Sequence, residues 1–168
     1  MYFQAIVFVV KPLSINIKQV ITFTTPGTHF EEPAAAVQMA RHVNDAFSTA
    51  VRERQHFLSL ATLPLNDPTA SVLELERAMT TLGLPGAMVF SNVNGRPLTA
   101  PETLPLFDLM ARLDRPIWLH PARGAEVPDY KGEKKSHYEI WWTFGWPYET
   151  SVAMAHIVFA GLFDKHPN

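Results

Sequence analysis

The sequence predicts a parallel α/β fold, on three observations. Short apolar runs alternate with longer amphipathic ones along most of the chain. Most prolines fall at the boundaries between these runs rather than inside them. The apolar runs begin near residues 20, 57, 87 and 116, one strand-plus-helix unit apart. Such alternation implies neighbouring parallel strands joined by right-handed crossover helices. Two architectures fit: part of a (β/α)8 barrel, or an open doubly wound sheet that uses residues 3–10 as an extra strand. The doubly wound version lacks a helix between residues 10 and 20, which a crossover requires. The barrel version lacks length, since a whole barrel takes about 250 residues.

Taken in order, FQAIVFVV at 3–10 reads as a strand by its β-branched and aromatic content, and 11–17 as irregular. Val20 to Thr24 is a strand closed off by Pro26-Gly27, and Thr24 to Glu32 a loop. Pro33 suits the first position of a helix, with Glu31 and Glu32 at its positive end. Ala36, Ala40, Val43, Phe47, Ala50 and Val51 recur at helical spacing, which predicts an amphipathic helix over 33–54 with these residues inward. Phe57 to Leu63 is the next strand. Asp67-Pro68 predicts a helix start, with Val72, Leu75, Met79 and Leu82 on one face and Gly83 ending it.

Gly86 to Phe90 is a strand, and Ser91 to Ala100 a turn-rich loop. Thr99 and Glu102 have capping-box spacing for a helix that runs to about Leu113. Pro116-Ile117-Trp118-Leu119-His120-Pro121 follows. Pro121 has no N–H to donate, so His120 should be the last side chain of a short buried strand. A polar segment, 122–137, leads to an aromatic cluster from Tyr138 to Tyr148. Pro147 to Thr150 opens a last helix to about Phe163. That helix is apolar nearly all round and is expected to be largely buried.

Composition narrows the function classes. The chain has 168 residues, 47% hydrophobic and 18% charged, which suits one domain with a sizeable core. A net charge of −2 argues for neither a nucleic-acid nor a membrane-surface partner. There is no cysteine, which excludes disulfides and thiolate metal sites and makes a cytoplasmic setting the expectation. The apolar start ends at Lys11-Pro12 after ten residues, too short to span a bilayer.

In parallel α/β folds, sites form at the carboxyl ends of strands. His120 stands at such an end, as a metal ligand, a general base or a core histidine bonded to a nearby carbonyl. His29, in the loop after the first clear strand, can reach a ligand or simply be solvated. Asn92 and Asn94 can bind a polar substrate and Arg96 a carboxylate, although Asn and Gly there also suit an ordinary turn. Arg123 follows His120, and the charges from Lys131 to Lys135 read as a solvated loop. Trp141, Trp142 and Trp146 suit either the apolar wall of a small-molecule pocket or packing against the last helix. His156 reads as a core or interface histidine. His42, His56, His137 and His166 have no partners at ligand spacing, and no HxH, HExxH, GxSxG or phosphate-binding glycine loop occurs.

A set of phrases in order carries a resemblance over residues 15–168. They are VITFTTPG at 20–27, Asn44-Asp45, LATLPL at 60–65, ELERA at 74–78, Leu82-Gly83 with Gly86, NGRPL at 94–98, PIWLHP at 116–121, Glu149-Thr150, and GLFDKHP at 161–167. The chain resembles the amidohydrolase-related metal enzymes grouped with aminocarboxymuconate semialdehyde decarboxylase and γ-resorcylate decarboxylase. The resemblance implies a (β/α)8 barrel that binds a divalent cation, zinc or manganese, at the strand ends. It places His120 on the metal-binding histidine of the fifth strand and Trp142 near an aromatic residue that lines the substrate pocket. It implies a decarboxylase or hydrolase of small carboxylated aromatic or dienoic substrates. Asn94 and His29, read from the loops that hold them, are further substrate-side candidates.

The departures from that pattern shape the remaining expectations. Met1 to Ser14 contains no His, Asp or Glu, where the family's first-strand ligand pair belongs. The later active-site His and Asp are also unmatched. The expectation is an internal piece of the barrel, about strands two to five, with 1–14 a lead-in and 15–168 an incomplete barrel domain. Such a piece should hold no tight metal and associate with itself or a complementing chain. A non-catalytic module acting only through association is the alternative.

Overall fold

The computed structural model describes residues 18–54 and 56–168, so the strand expected at 3–10 and the lead-in 1–14 lie outside the described residues. In order, the elements are β1 (Gln19–Ile21), α1 (Pro33–Glu53), β2 (Phe57–Ser59), α2 (Pro68–Thr80), β3 (Ala87–Phe90), β4 (Asn92–Val93), β5 (Arg96–Pro97), α3 (Leu104–Leu113), β6 (Ile117–His120), α4 (Ile140–Thr143), α5 (Gly145–Phe159) and α6 (Leu162–Lys165). β1 pairs with β2, and β3 with β6, both in parallel. A bridge from Ala61 to Ala87 joins the two ribbons, with Ala61 N–H donating to Gly86 O at 2.8 Å and Met88 N–H to Ala61 O at 3.0 Å. The strands therefore follow one another in chain order, β1-β2-β3-β6. A doubly wound sheet reverses its order at a switch point, and these strands do not. The architecture is part of a (β/α)8 barrel.

The strands are shorter than the apolar runs suggest. The run expected to extend to Leu63 leaves its β1 partner at Ser59, and past Ala61 its backbone pairs with a side chain. The Asn44 carboxamide accepts from Thr62 N–H and donates to Thr62 O, each at 2.9 Å, and also donates to Glu74 Oε1 at 2.7 Å. The same contact turns α1 away from its expected face. Its buried residues are Ala36, Ala40, Asn44 and Ser48, four apart, while Val43 and Phe47 are half-buried. Two small residues let the helix approach closely, and two polar ones find partners, Ser48 Oγ donating to Leu82 O at 3.0 Å. Buried polar groups of this kind are tolerated because they are bonded.

α2 starts as expected. The Asp67 carboxylate accepts from Ala70 N–H at 3.0 Å, and Pro68 occupies the first turn. Leu75 and Met79 are buried on its inner face. The capping box at Thr99 and Glu102 does not form, because the chain turns once more before α3 and Thr103 is its cap residue. Glu102 pairs with Arg96 instead, at 2.5 Å. Leu75, Val89 and Met110 are fully buried between the sheet and its helices. Such burial stabilises by about 1.5–3 kcal/mol for each side chain.

Two expected burials are corrected. β6 is not a buried strand: among the described residues it pairs only with β3, and Trp118 is 56% exposed. α5 begins at Gly145, two residues before Pro147, and buries only Gly145, Ala153 and Ile157. Val152, Met154, Val158 and Phe159 are exposed, because one side of the helix packs on the sheet and no described element covers the others. His156, on that open side, is exposed rather than a core residue.

Candidate functional site

β3 and β6 end in register, Phe90 opposite His120. Side chains alternate across a sheet, so Phe90 and His120 share one face with Met88 and Trp118. Val89, Ile117 and Leu119 face the helices. There they line an apolar cavity of about 470 Å³ with Met110 and Ile157. That cavity lies on the opposite side of the sheet from His120 and is separate from the strand-end site.

The His120 ring is fixed by local chemistry. Its Nδ1 lies 2.7 Å from Pro121 O. A carbonyl only accepts, so Nδ1 carries the proton and Nε2 keeps its electron pair. This is the tautomer in which histidine binds a metal or takes up a proton. The ring stands edge-on to Phe90 at 5.6 Å and to Trp146 at 5.5 Å.

The loops beyond the strands lock together around this ring. Ser91 N–H donates to His120 O at 2.7 Å. Ser91 Oγ accepts from Ala122 N–H at 3.0 Å and donates to Glu149 Oε2 at 2.9 Å. Asn92 Nδ2 donates to the same oxygen at 3.2 Å. Arg123 is largely buried. Its Nη2 donates to Pro128 O at 2.9 Å and lies 3.9 Å from Asp129, while Nη1 lies 4.0 Å from Glu149 Oε1. Trp146 Nε1 donates to Arg123 O at 2.9 Å. Of the three tryptophans, Trp146 is the one against His120. Trp142 packs edge-on against Trp146 at 6.3 Å, is 44% exposed, and donates to Glu139 Oε2, as Trp141 does.

His29 is not solvated. It is 1% exposed, between Phe30 at 4.7 Å and Phe90 at 4.8 Å. Neither ring nitrogen has a hydrogen-bond partner among the described residues, and burial lowers its pKa to about 4. Its loop is tied down on both sides, Thr28 Oγ1 donating to Leu63 O at 2.9 Å and Asn94 Nδ2 to His29 O at 3.2 Å. Gly27, at φ +76°, crosses the Phe90 ring, where a Cβ would come within 2.7 Å of it. Asn94 and Gly95, at φ +49° and +81°, form the turn between β4 and β5, so turn chemistry and the Asn94 contact coexist. Arg96 is exposed, next to Glu102.

The site thus brings His120, Phe90, Trp146 and Arg123 together, with His29 and Asn94 behind Phe90 and Trp142 in an outer layer. Phe90, Ser91 and Glu149 are the residues to which sequence reasoning gave no site role. The available signal was spacing: Trp146 and Glu149 are three apart and share a face of α5. Among the described residues, no group of three His, Cys, Asp or Glu side chains gathers to hold a metal. His120 offers one donor with its other nitrogen already occupied. No helix of the described residues is long and apolar enough to cross a membrane.

Comparison with known proteins agrees with this geometry. The family model described as Amidohydrolase matches residues 14–168. The chain is 30% identical over 155 residues to 2-amino-3-carboxymuconate-6-semialdehyde decarboxylase of Dictyostelium discoideum, covering 92% of this chain and 42% of that protein. It is 34% identical over 139 residues to γ-resorcylate decarboxylase of Rhizobium sp., covering 79% and 42%. It superposes on 5-carboxyvanillate decarboxylase of Novosphingobium aromaticivorans, a structure holding manganese and a substituted nitrobenzoic acid, with TM-score 0.78 and 26% identity over 90% of this chain and 43% of that one. The chain spans less than half the length of these relatives. Parallel strands in barrel order, a histidine at a strand end and a match over nearly all of its length agree: the chain belongs to the amidohydrolase family.

Proposed function

We propose that this chain is part of a metal-dependent carboxy-lyase or hydrolase of small carboxylated aromatic or dienoic substrates, with His120 as one metal ligand. The observation that carries the reading is the His120 tautomer, with Nδ1–H held by Pro121 O and Nε2 without a partner among the described residues, at the carboxyl end of a strand. Decarboxylation has the better support, because the relatives compared are decarboxylases. Manganese in one solved relative supports a divalent cation, manganese or zinc. When bound, such a cation would polarise a substrate oxygen. Phe90 and Trp146 shape the apolar wall beside His120, and Trp142 extends it outward. His29 and Asn94 build the rim from behind, His29 by supporting Phe90 and Asn94 by holding the His29 backbone. The cysteine-free composition is the support for a cytoplasmic setting.

A second reading, a module that acts only by associating with itself or a complementing chain, is favoured by the exposed apolar side of α5 and by the edge of β6, which is open among the described residues. One assay separates the two. The chain is incubated with manganese or zinc and a panel of dihydroxybenzoates and muconate semialdehydes, and absorbance is followed. Alone it should give no turnover. Mixed with a fragment carrying the remaining strands of a relative, it should give metal-dependent decarboxylation that His120→Ala abolishes. No turnover from a mixture that assembles and holds the cation would overturn the enzymatic reading.

A further inference from the structure

We infer that Glu149 is a positioning residue: from the first turns of α5 it sets the orientation of the His120 ring by tying together the ends of β3 and β6. The inference rests on the reading of His120 as the working residue of the site. The Glu149 carboxylate is half-buried and accepts on Oε2 from two side chains just past β3, Ser91 Oγ and Asn92 Nδ2. Because the Ser91 hydroxyl donates its proton to Glu149, its lone pairs are turned toward Ala122 N–H, just past β6. Ser91 N–H meanwhile holds His120 O. Both sides of the His120-Pro121 unit are thus fixed by Ser91, and Ser91 is oriented by Glu149. The Pro121 carbonyl that selects the His120 tautomer lies inside this clamp.

The same helix face adds a second constraint. Trp146, three residues before Glu149, donates to Arg123 O and presents its ring edge-on to His120. Glu149 Oε1 faces the Arg123 guanidinium at 4.0 Å. The carboxylate therefore also compensates the largely buried cation whose backbone anchors Trp146. Without it, Ser91 is free to rotate, the loop after His120 loses its tether, and the Nδ1–H contact with Pro121 O no longer has a fixed acceptor.

The test reads the His120 ring directly in the metal-free chain, so its outcome is independent of whether the proposed activity exists. The chain is labelled with ¹⁵N and ¹³C in histidine, and His120 is assigned by comparison with His120→Gln. At mildly alkaline pH the wild-type ring should be in one tautomer, Nδ1 protonated, with proton shifts displaced by the Trp146 ring. Glu149→Ala should convert it to a mixture of tautomers and lose the ring-current displacement. Glu149→Gln, which keeps an acceptor oxygen for Ser91 and Asn92, should restore the single tautomer. A folded Glu149→Ala chain with the wild-type His120 spectrum would overturn the inference. If Glu149→Ala fails to fold, Ser91→Ala decides: a mixed tautomer supports the clamp and an unchanged one overturns it.

Discussion

The Asn44 carboxamide makes both hydrogen bonds that a strand would make with Thr62, accepting from its N–H and donating to its C=O at 2.9 Å each. The contact lets α1 finish the work of the sheet where β2 has ended. It also links that backbone to Glu74, which is 3% exposed and held by Arg77 at 2.8 Å.

Removing the carboxamide should therefore be costly. Asn44→Ala leaves the Thr62 N–H, its C=O and Glu74 Oε1 each one partner short, in a buried setting. The expected loss is about 2–4 kcal/mol of unfolding free energy, measured by urea denaturation at fixed protein concentration. Asn44→Asp should be no better, because it sets a second carboxylate against Glu74. A loss below ~1 kcal/mol would show that water replaces the lost contacts.

His29 gives stability a pH dependence of defined sign. Its folded pKa, about 4, lies below its ordinary value of 6.5. The unfolded chain therefore binds a proton between these values that the folded chain refuses. Stability is full above pH 6.5 and falls as pH drops toward 4, by about 3 kcal/mol once both states are protonated. His29→Phe should remove this component and stabilise the chain at pH 5, since the ring is held by aromatic neighbours and makes no hydrogen bond among the described residues. The urea midpoint against pH for the two proteins checks it. Asp108 acts elsewhere on the scale: its hydrogen bonds to Lys165 and His166 hold its carboxyl below the usual range, so its contribution fades only at lower pH.

Metal affinity of the chain alone should be weak. One imidazole is one ligand, and a firmly held zinc takes three or four. Metal analysis after gel filtration should find less than one tightly held manganese or zinc per chain. A stoichiometric metal lost on His120→Ala would mean that further donors lie outside the described residues.

The chain should also associate. Val152, Met154, Val158, Phe159 and Phe163 are exposed along α5 and α6, and β6 has an edge unpaired among the described residues, beside exposed Trp118. Patches and edges of this kind seek partners. Light scattering over a range of concentrations should show dimers or larger species, and Val152→Lys with Phe159→Lys should shift the distribution toward monomer. A monodisperse 18.9 kDa species would count against the association.

The order of elements was legible because proline, glycine and caps punctuate it: Pro33, Asp67-Pro68, Gly83 and Pro121 all fall where a helix or strand begins or ends. The position of His120 was legible for the same reason. The buried face of α1 was not, since Asn44 and Ser48 look like surface residues until their partners, 18 and 34 positions away, are in place. The burial of His29 depends on a loop crossing Phe90, which no local pattern announces. The exposure of α5 inverts its composition: apolar residues all round a helix indicate how much surface needs covering, whereas the fold decides which of it is covered. Glu149 escaped because its partners, Ser91 and Asn92, lie 58 and 57 residues earlier and sit in what reads as an ordinary turn.

The tryptophan cluster has an optical consequence. Trp141 and Trp142 stand edge-on to Trp146 at 5.7 and 6.3 Å, and Trp146 stands edge-on to His120. Indoles this close couple their electronic transitions. Three of the chain's four tryptophans therefore report from beside the carboxyl end of β6. An aromatic carboxylate or a cation that reaches His120 therefore comes within range of these rings and can be followed by their light, with no label attached.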